Sequence, residues 1–193
     1  PPAVHSLPII PALMVAGDRT QGFRGRRMQK SVDAMPGHFI VCGAGQTCST
    51  VLRELVSTQR ACGAIEFNDQ RFAAIQDEFP SVPALHGDCS DDETLNAAGI
   101  ARAGGIVICT DDDKNALVTT VLARQLNPGI RIVARATTDK AAARLRQAGA
   151  DGVVAPAQIG GMRLASELVR PGVVTFLDQM LRDTNRNLRI EEV

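Results

Sequence analysis

Apolar runs and helical stripes of apolar residues alternate along most of the chain. Residues 38–42 (HFIVC) are a nearly unbroken apolar run that predicts a strand. Val51, Leu52, Leu55 and Val56 then recur at helical spacing over 46–59. Residues 61–67 (ACGAIEF) predict a second strand. Asn68 or Asp69 is placed to cap a helix carrying Phe72, Ile75 and Phe79, and Pro80 ends it. A short strand is expected at 82–86 and an acidic helix start at 91–98. Residues 104–109 (GGIVIC) predict a strand of the fully buried type, after which Thr110 or Asp111 is expected to cap a helix running to 126. Asn127, Pro128 and Gly129 mark a turn. A fifth strand at 130–135, a helix at 139–148 and a sixth strand at 152–154 complete the series.

Strands and helices in alternation, joined by short loops, predict an α/β fold with helices on both faces of a parallel sheet. Right-handed crossovers leave few topologies, and a Rossmann-like doubly wound six-stranded sheet in the order 3-2-1-4-5-6 is the natural one. Two further helices follow, expected at 157–169 and 173–182 and separated by Pro171 and Gly172. A sheet with its own helices is already covered. These crossover helices are therefore expected to bury their apolar residues against a second subunit, the alternative being packing back on the same domain.

Residues 1–37 break the pattern. Proline, glycine and the basic cluster Arg24, Arg26, Arg27 and Lys30 make this stretch a linker or tether, either simply solvated or a juxtamembrane segment drawn to lipid headgroups. The organisation expected is thus a tether (1–37), a nucleotide-binding lobe (38–155), crossover helices (156–186) and a terminal segment (187–193).

Composition narrows the function. Across 193 residues the formal net charge is zero, which gives no basic field for DNA or RNA. The longest apolar run, Leu7 to Ala16, falls short of the roughly 18–20 residues that span a bilayer. The five cysteines include no C-x-x-C pair and read as free thiols of a reducing compartment. His5, His38 and His86 show no metal-ligand spacing, and His38 is expected at the end of the sheet away from any ligand.

The chemistry concentrates after the strand ends. Gly43-Ala44-Gly45-Gln46-Thr47-Cys48 follows the first strand and opens a helix, the setting of a dinucleotide-binding turn. Gly43 permits the tight turn, Gly45 lets backbone approach a pyrophosphate, and the helix N-terminus supplies N–H groups. Cys48 stands where a third glycine or alanine is usual. Glu66 ends the second strand 21 residues past Gly45, where an acid accepts hydrogen bonds from ribose hydroxyls and repels a 2′-phosphate. The other reading is a surface glutamate at a strand end. Asp88, after Gly87, is placed to touch ribose or adenine, or to cap the next helix. Thr110 to Asn115 lie at the sheet edge that bounds the crevice, where Asp111–Asp113 also complement a helix dipole. Arg135 ends the fifth strand, facing a phosphate or one of the aspartates.

In this order the chain resembles the N-terminal lobe of RCK domains, also called KTN or TrkA-N domains, which regulate potassium channels and transporters. The resemblance runs from about Arg26 to Val193 and is carried by GHFIVCGAG, HGDCSDDETLNAAGIARA, CTDDDKNALVTTVLARQLNP, RIVARATT and LRQAGADGVVAPAQIGGMRLASEL. It implies a cytosolic regulatory domain at the inner face of the cell membrane. It also implies a homodimer through 157–169 and 173–182, an eight-lobed ring below a channel pore, and a C-terminal lobe whose first strand would be 187–193. The implied ligand is an adenine nucleotide: NAD(H), ATP, ADP or AMP. Its contacts, carried over by position, are Gly43, Ala44, Gly45, Gln46 and Thr47 of the loop, Glu66, Asp88 with Cys89, Thr110 with Asp111, and Arg135. Calcium-gated relatives place carboxylates after the fifth strand. Here Arg135 and Thr137 stand there, so that site is not expected.

Two other classes remain open at this point. One is an NAD-dependent oxidoreductase, against which stand the missing Tyr-x-x-x-Lys pair, acid–base residue and substrate domain. The other is a ligand-free assembly module of a transporter or cation/proton antiporter, for which Cys48 is the best argument.

Overall fold

In a computed structural model the described residues are 35–172. Six parallel strands form one sheet in the order β3-β2-β1-β4-β5-β6. The strands are β1 (Phe39–Cys42), β2 (Cys62–Glu66), β3 (Ala84–His86), β4 (Gly105–Ile108), β5 (Arg131–Arg135) and β6 (Gly152–Val154). Between them run helices α1 (Gln46–Ser57), α2 (Asp69–Glu78), α3 (Asp92–Ala97), α4 (Asp113–Leu126) and α5 (Asp139–Gln147), with a 3-10 turn at Ile100–Arg102. The order and the parallel sense are those expected from the alternation. β1 pairs with β2 on one side and with β4 on the other, Phe39 opposite Cys62 and Gly105.

The central strands β1 and β4 are apolar on both sides because helices cover both faces. On one face Ile40, Cys42, Ile65, Ile106, Ile108 and Ile132 pack with Leu95, Ile100 and Leu145. Ala116, Ala123, Ala141 and Ala142 are buried here too, and such small side chains let α4 and α5 approach the sheet closely. On the other face Val41 and Ala64 meet Leu52 of α1, Ile75 of α2 and Phe79, which follows α2. His38 lies before β1, wholly buried, its ring nitrogens 2.9 Å from the carbonyl oxygens of Met35 and Ala98. It occupies the end of the sheet opposite the loops that follow the strands, as expected.

Two local expectations are corrected. Asn68 caps α2 as foreseen, accepting from the Arg71 N–H at 3.1 Å. The cap of α4, however, is Asp112, which accepts from the Lys114 N–H at 2.9 Å, and neither Thr110 nor Asp111. β4 stops at Ile108, and the extended stretch after it delays the first helical turn to Asp113. After β6 comes α6 (Pro156–Val169), which leaves Ile159, Met162, Leu164, Leu168 and Val169 exposed. Of the described residues, those up to Val154 and those from Ala155 onward fall into two separate units. α6 ends at Val169 and the break falls at Arg170, while Pro171 and Gly172, expected as the separator, are already helical. Residues 1–34, the helix expected at 173–182 and the strand expected at 187–193 lie outside the described residues.

Candidate functional site

The strand order reverses at β1, because β1 leads across to β2 and β4 lies on its other side. Loops leaving β1 and β4 therefore diverge, and a crevice opens between them at the C-terminal edge of the sheet. Its lining comes from four strand ends. Gly43, Ala44 and Gly45 follow β1. Glu66, Phe67 and Arg71 come from the end of β2 and the start of α2. Gly87, Asp88 and Cys89 follow β3, and Cys109 to Asp112 with Asn115 follow β4.

The first loop is shaped by its glycines. Gly43 has φ +101, and its N–H donates to the Ile65 carbonyl at 2.8 Å. A Cβ there would lie 3.2 Å from the Cys109 carbonyl oxygen and 3.5 Å from Cys48 Sγ. Gly45 is the N-cap of α1 and offers no side-chain cap. No acidic residue occupies the first turn of α1, so its N–H groups gain no partner of that kind. Cys48, which replaces the usual small residue, is wholly buried and donates to the Cys42 carbonyl at 3.4 Å. The thiol fits between helix and strand, and the loop keeps its turn.

Glu66 is only 3% exposed although it lies at a strand end, which sets aside the surface-glutamate reading. Its Oε1 accepts from the Asn68 N–H at 2.7 Å, which steers the carboxylate along the crevice wall. His86 secures the same rim: a carbonyl oxygen only accepts, so its Nε2 donates to Phe67 O at 2.8 Å. Asp88 lines the crevice and binds both the N–H and the hydroxyl of Ser90 at 2.8 Å. It thus orders the turn, while Asp91 holds the N-cap position of α3. Gly87 has a structural reason of its own: a Cβ there would meet Thr94 Oγ1 at 3.0 Å.

The charges are concentrated at Asp111. Arg71 Nη1 donates to its Oδ2 at 2.8 Å and Arg135 Nη1 to its Oδ1 at 3.1 Å. The hydrogen bond from Arg71 holds the Asp111 carboxyl below the usual aspartate range, with Arg135 adding to it against partial burial. Two thiol pairs lie at the base. The neighbouring Cys109 and burial push the Cys48 thiol up while Cys48 lowers that of Cys109, and Cys89 and Cys42 are related in the same way. All five cysteines are free and buried.

Of the residues expected at the site, Gly43, Ala44, Gly45, Glu66, Asp88, Cys89, Thr110 and Asp111 come together in the crevice. Gln46 and Thr47 do not line it; they begin α1 behind the loop. Arg135 reaches the site through Asp111 and chooses the aspartate alternative. Phe67 and Arg71 line the crevice without having been expected there. For Arg71 the available signal was its place in the first turn of the helix that follows Glu66.

The TrkA-N domain model matches residues 39–156. This chain belongs to the TrkA-N family. The TrkA-N domain of the inner membrane protein ybaL from Escherichia coli superposes with a TM-score of 0.63 at 25% identity, over 70% of this chain and 98% of that one. GsuK bound to ADP superposes with a TM-score of 0.60 at 27% identity, over 78% of this chain and 39% of GsuK. Probable potassium channel protein 2 of Methanocaldococcus jannaschii is 30% identical over 178 residues, 90% of this TrkA-N chain and 51% of the relative. The chain thus spans about half the length of that relative, and 52% of potassium channel protein 1 from the same organism. Among the described residues no helix is long and apolar enough to cross a membrane, and no group of three or more His, Cys, Asp or Glu is arranged to hold a metal.

Proposed function

We infer that this TrkA-N domain is a regulatory module that binds an adenine nucleotide and passes its occupancy to a potassium channel or transporter. The observation that carries the reading is the crevice at the reversal of strand order. It holds an uncapped helix N-terminus at Gly45 and a buried carboxylate at Glu66, in a chain similar to GsuK bound to ADP. The N–H groups of α1 suit a phosphate and Glu66 suits ribose hydroxyls. NAD(H), ATP, ADP and AMP share those two groups. The reading is regulatory and not enzymatic because the relatives are channel and transport proteins.

Regulation requires that the ligand bind one conformation of the assembly better than another. The means is pairing of copies through α6 and the segment 173–182. Such pairs would join in a ring at the cytoplasmic face beneath a pore, with residues 1–37 as the tether. Thr47 and Gln46 contribute through the helix they begin, and Arg135 through Asp111.

Calorimetry with NAD, NADH, ATP, ADP and AMP tests the site. At least one of them is expected to bind, and Glu66→Ala is expected to weaken it by about 1–3 kcal/mol through loss of hydrogen bonds in a buried setting. If none binds the wild-type chain, the sensor reading is lost; if Glu66→Ala binds unchanged, Glu66 is not in the site.

A further inference from the structure

Three consecutive acids follow β4, and the structure separates their duties. Asp112 caps α4 through the Lys114 N–H. Asp113 is held by the N–H and hydroxyl of Thr137. Asp111, which precedes the cap of α4, reaches across the crevice. It meets Arg71 from the β2 side and Arg135 from the β5 side, so one carboxylate joins elements on both sides of the opening. Its Oδ1 lies 3.8 Å from the position a Cβ would take at Gly45, the residue that opens α1. A carboxylate flanked by two guanidinium groups beside an uncapped helix start is arranged as a phosphate would be.

We propose that Asp111 is an internal counter-anion standing in for the ligand's phosphate, and that an anionic ligand binds by displacing it and taking over Arg71. This rests on the nucleotide reading above and extends it to charge selection. Two anions at one place repel each other, so phosphate and the Asp111 carboxylate do not share the arginines. The guanidinium fork of Arg71 binds a phosphate in two-pronged fashion as well as it binds a carboxylate. A nucleoside has no charge with which to compete, so it neither displaces Asp111 nor gains from Arg71. The crevice therefore separates nucleotide from nucleoside by an exchange of partners, and that exchange shifts the loop heading α4.

The test is calorimetry on the 193-residue chain with two probes, ADP and adenosine, for wild type, Asp111→Ala, Asp111→Asn and Arg71→Ala. Asp111 is largely exposed, and its substitution leaves the core untouched. Both Asp111 variants are expected to bind ADP about tenfold more tightly than wild type, with adenosine affinity unchanged. Arg71→Ala is expected to weaken ADP about tenfold and again to leave adenosine unchanged. If ADP binding stays the same or weakens in the Asp111 variants while wild type binds, Asp111 is a direct contact or a bystander and the exchange is overturned, with the nucleotide reading intact. If wild type and all variants bind neither probe, the exchange is overturned, and the nucleotide reading falls with it only when NAD, NADH, ATP and AMP fail to bind as well.

Discussion

Gly43 shows how one residue commits the site. Its φ of +101 is strained for any residue with a Cβ, and the space a Cβ would need is bounded by the Cys109 carbonyl and the Cys48 thiol. Gly43→Ala is expected to cost about 1–3 kcal/mol, read as a lower urea midpoint at unchanged slope. An unchanged midpoint would show that the loop relaxes without loss. The residues that spacing alone brings forward, Gly43, Gly45, Glu66 and Asp88, all line the crevice. Arg71 was not legible in this way. A long side chain's destination depends on which loop lies across the opening, and that is a property of the strand order, not of neighbouring letters. Asp111 was legible as a site residue but not as the partner of two arginines, because that requires β2 and β5 to be seen together.

Among the elements, the end of α4 is the best secured. Arg124, in its last turn, donates through Nη1 to the carbonyls of Pro128 and Ile130 at 2.7 and 2.8 Å. Through Nη2 it donates to Gly149 O at 2.8 Å and Asp151 Oδ2 at 2.9 Å. Asp151 in turn accepts the Ile132 N–H at 2.6 Å. Gly149, with φ +106, ends α5 and turns the chain so that its carbonyl reaches Arg124. The segment LRQAGADG, which carried much of the family resemblance, is thus one joint between α4, α5, β5 and β6. Arg124→Ala is expected to destabilise the fold by about 2–3 kcal/mol in chemical denaturation, since it leaves several acceptors without a charged donor.

The same joint responds to acid. The Ile132 N–H, and after it Arg124, holds the Asp151 carboxyl below its ordinary value of 3.8. The resulting stability is present above that value and drains away as pH falls through the lower folded-state value. Asp151→Asn should flatten this part of the acid denaturation profile; an unchanged profile would show that other carboxylates set it. The pattern of apolar positions located these elements to within a residue or two. It misplaced the cap of α4 because three successive aspartates are equally able caps by chemistry, and only the end of β4 chooses Asp112.

At the scale of the whole molecule, strand order was legible because alternation and right-handed crossovers leave few arrangements. The association expected from the sequence rests on exposed apolar surface alone. α6, taken by itself, leaves Leu164 73% and Leu168 86% exposed, with Met162 and Ile159 beside them in sequence. Such residues on one helix favour a second copy as cover. Light scattering at micromolar concentration is expected to give a dimer, and Leu168→Asp combined with Met162→Asp a monomer. A wild-type monomer would remove this interface.

The pairing of β1 with β4 has a consequence for how the fold holds together. Within the sheet, the first half meets the second at one pairing, the seam of Phe39–Cys42 against Gly105–Ile108. The crevice opens directly above that seam, with walls drawn from both halves. Whatever sits there rivets the halves to each other, and a parting of the seam dismantles the binding place in the same event. A ligand that takes only the closed crevice would therefore add to the cohesion of the sheet.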